Sequence, residues 1–305
     1  MFKIADAHCD YLGFQVFKDE DNTHLYDHID MARMRRGGVA LQNFAVWVPP
    51  EKENKLDLGL QQIAYLHRFI ENSGGGLFKL TCQSDLNRNN RIFAVLSIES
   101  GDSIDCRNDF IPIVYDKGVR ILSLTWNDEN DYACGCLAHG GLKPKGINAI
   151  RLLNDYNIAL DVSHINEKGF WEALNLYEHA PCATHSCVSA LHENPRNLND
   201  RQLKEIIARD GFIGINFYTK FLTGRQADIE DIVDHIDYVL DCGGEYSVGF
   251  GSDFCGIDST PKGLDSAADF QALPEAMLRR NYTDAVVSKI CYGNFARYIL
   301  KFLKQ

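Results

Sequence analysis

The feature that most constrains this chain is a recurring punctuation: short apolar runs that stop on a side chain suited to chemistry. Ile4-Ala5-Asp6-Ala7-His8, Val95-Leu96-Ser97-Ile98-Glu99, Ile158-Ala159-Leu160-Asp161-Val162-Ser163-His164, Pro181-Cys182-Ala183-Thr184-His185 and Val248-Gly249-Phe250-Gly251-Ser252-Asp253 all follow it. A run rich in β-branched and apolar residues, bounded by turn residues, reads as a buried strand. A strand that ends on a carboxylate or imidazole has carried that group out of the core to a rim. Several such strands sharing one rim make a metal site.

Strand-like runs recur over 3–8, 39–48, 91–98, 119–125, 158–163, 181–185, 212–217 and 247–252, with helical patterns between them. Ile229, Ile232, Val233, Ile236, Val239 and Leu240 form one apolar stripe at helical spacing. Asn199-Asp200 and Thr283-Asp284 stand where helix caps belong. This alternation predicts an α/β fold, a (β/α)8 TIM-type barrel formed by residues 1–305 as a single domain. A doubly wound sheet alternates in the same way. The location of the polar residues decides, because barrel sites gather at the C-terminal ends of the strands. In the last run Gly249, Gly251 and Asp253 share one face and Val248, Phe250 and Ser252 the other, as a crowded barrel interior requires. Long loops are expected after the fourth and eighth strands, over 127–146 and 254–281, on the active-site side. Ser73-Gly74-Gly75-Gly76 lacks the Lys-Ser/Thr of a phosphate loop and reads as a turn.

The net charge of -11 disfavours a nucleic-acid partner. No stretch approaches the roughly 18 apolar residues of a membrane span. Met1-Phe2-Lys3-Ile4 runs into the first strand without the pattern of a secretory leader. Ten cysteines in a chain of this size suit a reducing compartment better than a disulfide framework, so a cytoplasmic protein with no membrane partner is expected. Cys134-Gly135-Cys136 has no second pair at matching spacing and reads as free thiols in a loop.

Residues i and i+2 of a strand face the same way, so His8 and Asp10 can grip one ion. Asp6 shares that face and is expected to orient His8 from behind. A glutamate buried at Glu99 needs a partner or a metal, and its two oxygens can each serve one ion. His164 and His185 end neighbouring strands, and neutral imidazole is a common ligand of transition metals. Asp253 is placed to take a proton from an attacking water and return it to a leaving amine. Arg196, in Asn194-Pro195-Arg196-Asn197, is suited to two-point binding of a substrate carboxylate. Each of these has a plainer alternative: a surface ion pair for Glu99, a loop cap for Asp253, a solvated cation for Arg196. His24, His28, His67, His179, His192 and His235 lie in helical or loop contexts and are left unassigned.

Taken together, Asp6-Ala7-His8-Cys9-Asp10, Ser97-Ile98-Glu99-Ser100-Gly101, Asp161-Val162-Ser163-His164, Thr184-His185-Ser186, Arg196-Asn197, Gly251-Ser252-Asp253-Phe254 and Gly293-Asn294-Phe295 resemble, in order, the motifs of the membrane (renal) dipeptidase family of metal-dependent amidohydrolases. The resemblance runs from Asp6 to about Ile299. It implies a (β/α)8 barrel holding two zinc ions, with manganese, iron or cobalt able to occupy similar sites. His8, Asp10 and Glu99 would hold one ion, and Glu99, His164 and His185 the other. A hydroxide between the metals would attack the peptide carbonyl of a dipeptide. Asp253 would shuttle the proton and Arg196 would hold the C-terminal carboxylate. The resemblance also allows a homodimer.

Three positions depart from the family pattern. Trp126 stands in Ser123-Leu124-Thr125-Trp126-Asn127 where many relatives carry a His that contacts substrate. Trp126 and Asn127 are therefore taken as substrate-binding, with Asn127 or a metal assuming the work of the missing imidazole. Cys255 replaces a second Asp, and Ser100 a frequent Gly. No metal ligand is lost, so the expected activity is zinc-dependent dipeptide hydrolysis. The alternatives are a related amidohydrolase acting on another small amide or lactam, and a metal-containing protein that binds peptides without cutting them.

Overall fold

The structure is a computed structural model that describes residues 1–18, 27–88 and 91–303. His24 lies outside the described residues. Among the described residues nine strands form: β1 (Ile4–Asp6), β2 (Val39–Val46), β3 (Leu77–Lys79), β4 (Ile92–Ile98), β5 (Val119–Ser123), β6 (Ala159–Asp161), β7 (Cys182–Ala183), β8 (Phe212–Ile215) and β9 (Val248–Phe250). Neighbouring strands run parallel, and the pairing of β2 with β4, from Leu41↔Phe93 to Val46↔Ile98, closes eight of them into a barrel. Helices cross between successive barrel strands, giving the expected (β/α)8 architecture.

β3 was not anticipated. It pairs with the first residues of β4, Leu77↔Ile92 to Lys79↔Ala94, below the point at which β5 takes over that edge at Leu96. Three residues are too few to show a period of two. The expected strand over 181–185 contracts to Cys182–Ala183, because the chain leaves the ladder to present Thr184 and His185. The 254–281 connection is not all loop. It contains the helix Ala272–Arg279, and Pro274 lies in that helix's first turn, where a missing N–H costs nothing.

Alternation along the strands sorts the core into two layers. Ala5, Ala7, Leu41, Phe93, Val95, Ile121, Ala159 and Phe212 fill the barrel, while Ile4, Phe44, Leu96, Leu122, Leu160 and Phe250 pack outward under the helices. The C-terminal helix Asn294–Leu300 seals one end. Phe295 and Tyr298 meet Phe212 with ring centroids 5.0 and 5.9 Å apart. The Asn294 carboxamide donates to the carbonyls of Val248 and Glu245, at 2.7 and 2.9 Å, where β9 begins. The Tyr298 hydroxyl donates to the Ala180 carbonyl at the start of β7. With its N-terminal end closed, the barrel has one mouth, at the C-terminal ends of its strands.

The outer layer follows the sequence signals. The helix Ile229–Asp241 buries Ile232, Val233, Ile236 and Val239. Asn199 and Thr283 cap their helices through side-chain acceptance of backbone N–H groups. All ten cysteines are free. No helix among the described residues is long and apolar enough to cross a membrane.

Candidate metal centre at the barrel mouth

Five predicted ligands converge at the mouth, and Glu99 stands at their centre. Its Oε2 lies 3.3 Å from His8 Nε2, and its Oε1 lies 2.8 Å from His164 Nε2 and 3.6 Å from His185 Nε2. His8 Nε2 is 3.6 Å from Asp10 Oδ2 and 3.9 Å from Asp253 Oδ1. The Nε2 atoms of His164 and His185 approach to 2.8 Å. Each oxygen of one carboxylate thus faces a different imidazole group. His8, Asp10, Glu99, His164 and His185 are all buried.

Backbone geometry aims these groups. His164 and Asp253 adopt positive φ values of 69° and 61°, and Ser100, directly after Glu99, adopts 68°. Such left-handed backbone costs a non-glycine residue about 1–2 kcal/mol and persists where the surroundings over-determine it. Gly251 is required for close approach, since a Cβ there would lie 1.8 Å from the Thr184 carbonyl oxygen.

Hydrogen-bond logic assigns the imidazole tautomers. Thr184 Oγ1 lies 2.5 Å from Asp161 Oδ2, 2.8 Å from His185 Nδ1 and 3.3 Å from His8 Nδ1. The hydroxyl has one proton, and an ionised carboxylate can only accept it. Thr184 therefore donates to Asp161 and accepts from both rings, which fixes protons on the Nδ1 atoms of His185 and His8. His164 Nδ1 is 2.8 Å from Asn127 Oδ1, which also accepts. With Nδ1 protonated, each imidazole in its neutral form presents its Nε2 lone pair inward, the state a metal ligand needs.

The electrostatics call for a cation. Burial pushes the Asp10 carboxyl well above the usual carboxylate range, and neighbouring Glu99 adds to it. Burial also raises Asp253. Burial opposes ionisation of Glu99, but the charge on His8 and the close His164 and His185 imidazoles outweigh it and hold its carboxyl well below the usual range. Burial likewise disfavours a charge on His8, but the Glu99 and Asp10 carboxylates raise it well above an ordinary histidine. His164 falls to about 4 through burial and the nearby Arg196 charge, and His185 falls through burial and the charge on His8. His8 Nε2 and Asp10 Oδ1 are buried and have no hydrogen-bond partner. Two overlapping groups lie within metal-binding range: His8, Glu99 and His185, and His8, Asp10 and Asp253. Nitrogen and oxygen donors in a buried, electron-rich cluster fit divalent transition metals.

The remaining predicted residues also reach the mouth. Arg196 is 6% exposed, donates from Nη2 to the His185 carbonyl at 2.9 Å, and lies over the Phe221 ring. Its Nη1 reaches the Ser186 hydroxyl at 3.5 Å, and its Nε has no partner. Trp126 is half-buried, with its ring 6.1 Å from that of His164. Asp6 departs from expectation. It does not touch the His8 ring, since its carboxylate accepts from Ser252 N and Oγ, both at 2.7 Å, and from Gln42 Nε2 at 2.8 Å. Those bonds tie β1 to the end of β9 and to β2. Among them and a contact from the His8 backbone, burial dominates and lifts Asp6 to about 6.

Sequence reasoning passed over three residues at the mouth. Thr184 orders two imidazoles. Asn216, just past β8, donates from Nδ2 to Asp253 Oδ2 at 2.9 Å. Trp47, just past β2, meets Trp126 with ring centroids 5.3 Å apart. The strand-end rule would have found them had it been applied to uncharged residues.

Comparison with known proteins bears on the family and the fold. The model of the membrane dipeptidase family, peptidase family M19, matches residues 1–303. An uncharacterised protein from the pqqA 5' region of Klebsiella pneumoniae is 32% identical over 266 residues, 82% of this chain and 98% of that protein. The solved structure of dipeptidase AC, a metallopeptidase of family M19, superposes with a TM-score of 0.90 at 27% identity, covering 99% of this chain and 98% of that one. A metallopeptidase from Rhodobacter sphaeroides, solved with a phosphinate mimic of the dipeptide L-Ala-D-Ala, gives a TM-score of 0.89 at 25% identity over 99% of both chains. With its closed parallel barrel and a family match over residues 1–303, the chain belongs to the membrane dipeptidase family of metal-dependent dipeptidases.

Proposed function

We propose that this metallo-dipeptidase uses two zinc ions, one held by His8, Asp10 and Glu99 and the other by Glu99, His164 and His185. The observation that carries this reading is the division of Glu99, whose two oxygens face separate imidazole groups. Imidazole and carboxylate donors suit zinc, and manganese, iron or cobalt can use the same set. When bound, the ion pair supplies carbonyl polarisation and a water acidic enough to attack as hydroxide, as the family resemblance implies.

The chain's own residues do the rest. Asn216 engages Oδ2 of Asp253, leaving Oδ1 to take the proton of the attacking water and deliver it to the departing amine. Arg196, buried among neutral hydrogen-bond partners, takes the C-terminal carboxylate of the dipeptide. A carboxylate that close to the reacting centre restricts substrates to very short peptides. Trp126 forms one wall of the substrate pocket. Asn127 holds His164 through Oδ1, leaving Nδ2 as a donor toward substrate. The phosphinate dipeptide mimic bound by the Rhodobacter sphaeroides relative supports the same substrate class.

We read residues 1–305 as one hydrolase domain. The ten free thiols support a cytoplasmic location, and the net charge of -11 argues against a nucleic-acid partner. A homodimer goes with the family resemblance and is tested by light scattering. The functional test is zinc-reconstituted protein assayed against a dipeptide library, N-acyl amino acids and lactams. Dipeptide hydrolysis that is lost on chelation and restored by zinc is expected. Turnover of acyl amino acids or lactams alone would assign a different amide. Zinc binding without any turnover would make the chain a peptide-binding protein.

A further inference from the structure

The mouth has two unlike sides. Around the barrel, Trp47 follows β2, Trp126 follows β5, His164 and His185 follow β6 and β7, and Arg196 lies in the connection after β7. The imidazoles therefore separate the tryptophans from the guanidinium. The Trp47 and Trp126 rings are 5.3 Å apart and tilted by 55°, and Trp126 continues to the His164 ring at 6.1 Å. Both tryptophans are half-buried, so an aromatic surface remains open beside the metal ligands.

Trp47 is also held in place. The buried carboxamide of Gln62, on the helix Lys55–Asn72, accepts from Trp47 N at 3.1 Å and donates to Trp47 O at 2.6 Å. This two-point grip fixes the backbone that carries the indole. Trp47 Nε1 is buried and has no acceptor among the described residues.

Resting on the dipeptidase reading, the geometry points to Trp47 and Trp126 as the subsite for the N-terminal side chain of the substrate. A dipeptide with its carboxylate on Arg196 and its scissile carbonyl over the ligand cluster extends its first residue away from Arg196, onto the tryptophan side. The favoured class is dipeptides whose first residue is aromatic or broadly apolar. Offset or edge contact of such a side chain with two indoles is worth about tenfold in kcat/KM over glycine.

The test compares kcat/KM for Phe-Ala, Gly-Ala, Ala-Phe and Ala-Gly on zinc-loaded wild type, Trp47→Ala, Trp47→Phe and Trp126→Ala, with metal content measured for each. We expect a Phe-Ala to Gly-Ala ratio of about ten in wild type, falling toward one in Trp47→Ala and Trp126→Ala and largely kept in Trp47→Phe. The Ala-Phe to Ala-Gly ratio should not follow it. Reading ratios separates specificity from any general loss of activity. If Trp47→Ala does not fold, Trp47→Leu replaces it, since Leu keeps apolar volume without a ring. Dipeptide turnover with a wild-type ratio near one, with a ratio that neither tryptophan moves, or with the change confined to the second residue would overturn the assignment and leave the dipeptidase reading standing. Absence of turnover for every dipeptide would instead remove the reading on which the assignment rests.

Discussion

Thr184→Val is the sharpest single perturbation of the centre, because it nearly preserves shape and deletes one oxygen. That oxygen donates to Asp161 at 2.5 Å and accepts from the imidazoles of His185 and His8 at 2.8 and 3.3 Å. Thr184, His185 and His8 are at most 1% exposed, so water has little access to repair the loss. A hydrogen bond to a charged group contributes about 1.5–3 kcal/mol, and each buried N–H left without an acceptor costs about 1–3 kcal/mol. Asp161 keeps two backbone donors, Ser163 N and Thr184 N, which limits the first cost. Each histidine can escape the second by moving its proton to Nε2, but only by giving up the lone pair that binds metal. The expected stability loss of the metal-free protein is on the order of 3 kcal/mol. The expected fall in zinc affinity is about 10–100-fold, typical of a lost partner behind a ligand. Chelator competition gives the affinity, and denaturant unfolding of the apoprotein gives the stability. Thr184→Ser, which keeps the hydroxyl, should stay close to wild type in both. Zinc affinity unchanged in Thr184→Val would refute the tautomer assignment.

Further outcomes follow from other contacts. Arg196→Ala should lower kcat/KM for dipeptides by about 10²–10³-fold while leaving dipeptide amides much less affected, and Arg196→Lys should not restore two-point binding; steady-state kinetics on the two substrate types check this. Asn216→Asp keeps an acceptor for Tyr218 N but sets a second carboxylate against Asp253. It should raise the proton affinity of Asp253 and move the acid limb of the kcat profile to higher pH, with zinc content unchanged. His28, which accepts from Cys255 N, is lowered from its ordinary 6.5 to about 4 by burial, with the Arg33 charge assisting and Asp27 opposing. The unfolded chain then takes up the proton first, so this contribution is whole above pH 6.5 and is lost as the pH falls toward 4. Unfolding midpoints measured across that range should decline on the acid side, and less steeply in His28→Gln.

Much of the barrel and its centre was legible because strand ends place chemistry on a rim. Glu99, His164, His185 and Asp253 each finish a run whose apolar residues leave the terminal group no place in the core. The C-terminal plug was legible only as a motif. Asn294 matters because its carboxamide pairs with two carbonyls at the start of β9, and no local pattern reveals that contact. Asp6 misled because a shared strand face does not say which neighbour claims a carboxylate. Ser252, 246 residues away, claims it. Thr184, Asn216 and Trp47 escaped notice because hydroxyl, amide and indole groups carry no ligand signal of their own. Their roles arise from what the closed barrel sets beside them. β3 and the helix Ala272–Arg279 were hidden by brevity and by a proline that reads as a loop signal until its place in a first turn is known.

The central claim is that Glu99 divides its carboxylate between two cations. Crystals of active, zinc-loaded protein measured on both sides of the zinc absorption edge test it most directly. The account predicts two anomalous peaks per chain, about 3.5–4 Å apart, one beside His8 and Asp10 and one beside His164 and His185, each touching a different Glu99 oxygen. A single peak, or peaks that leave Glu99 unligated in protein that hydrolyses dipeptides, would contradict it.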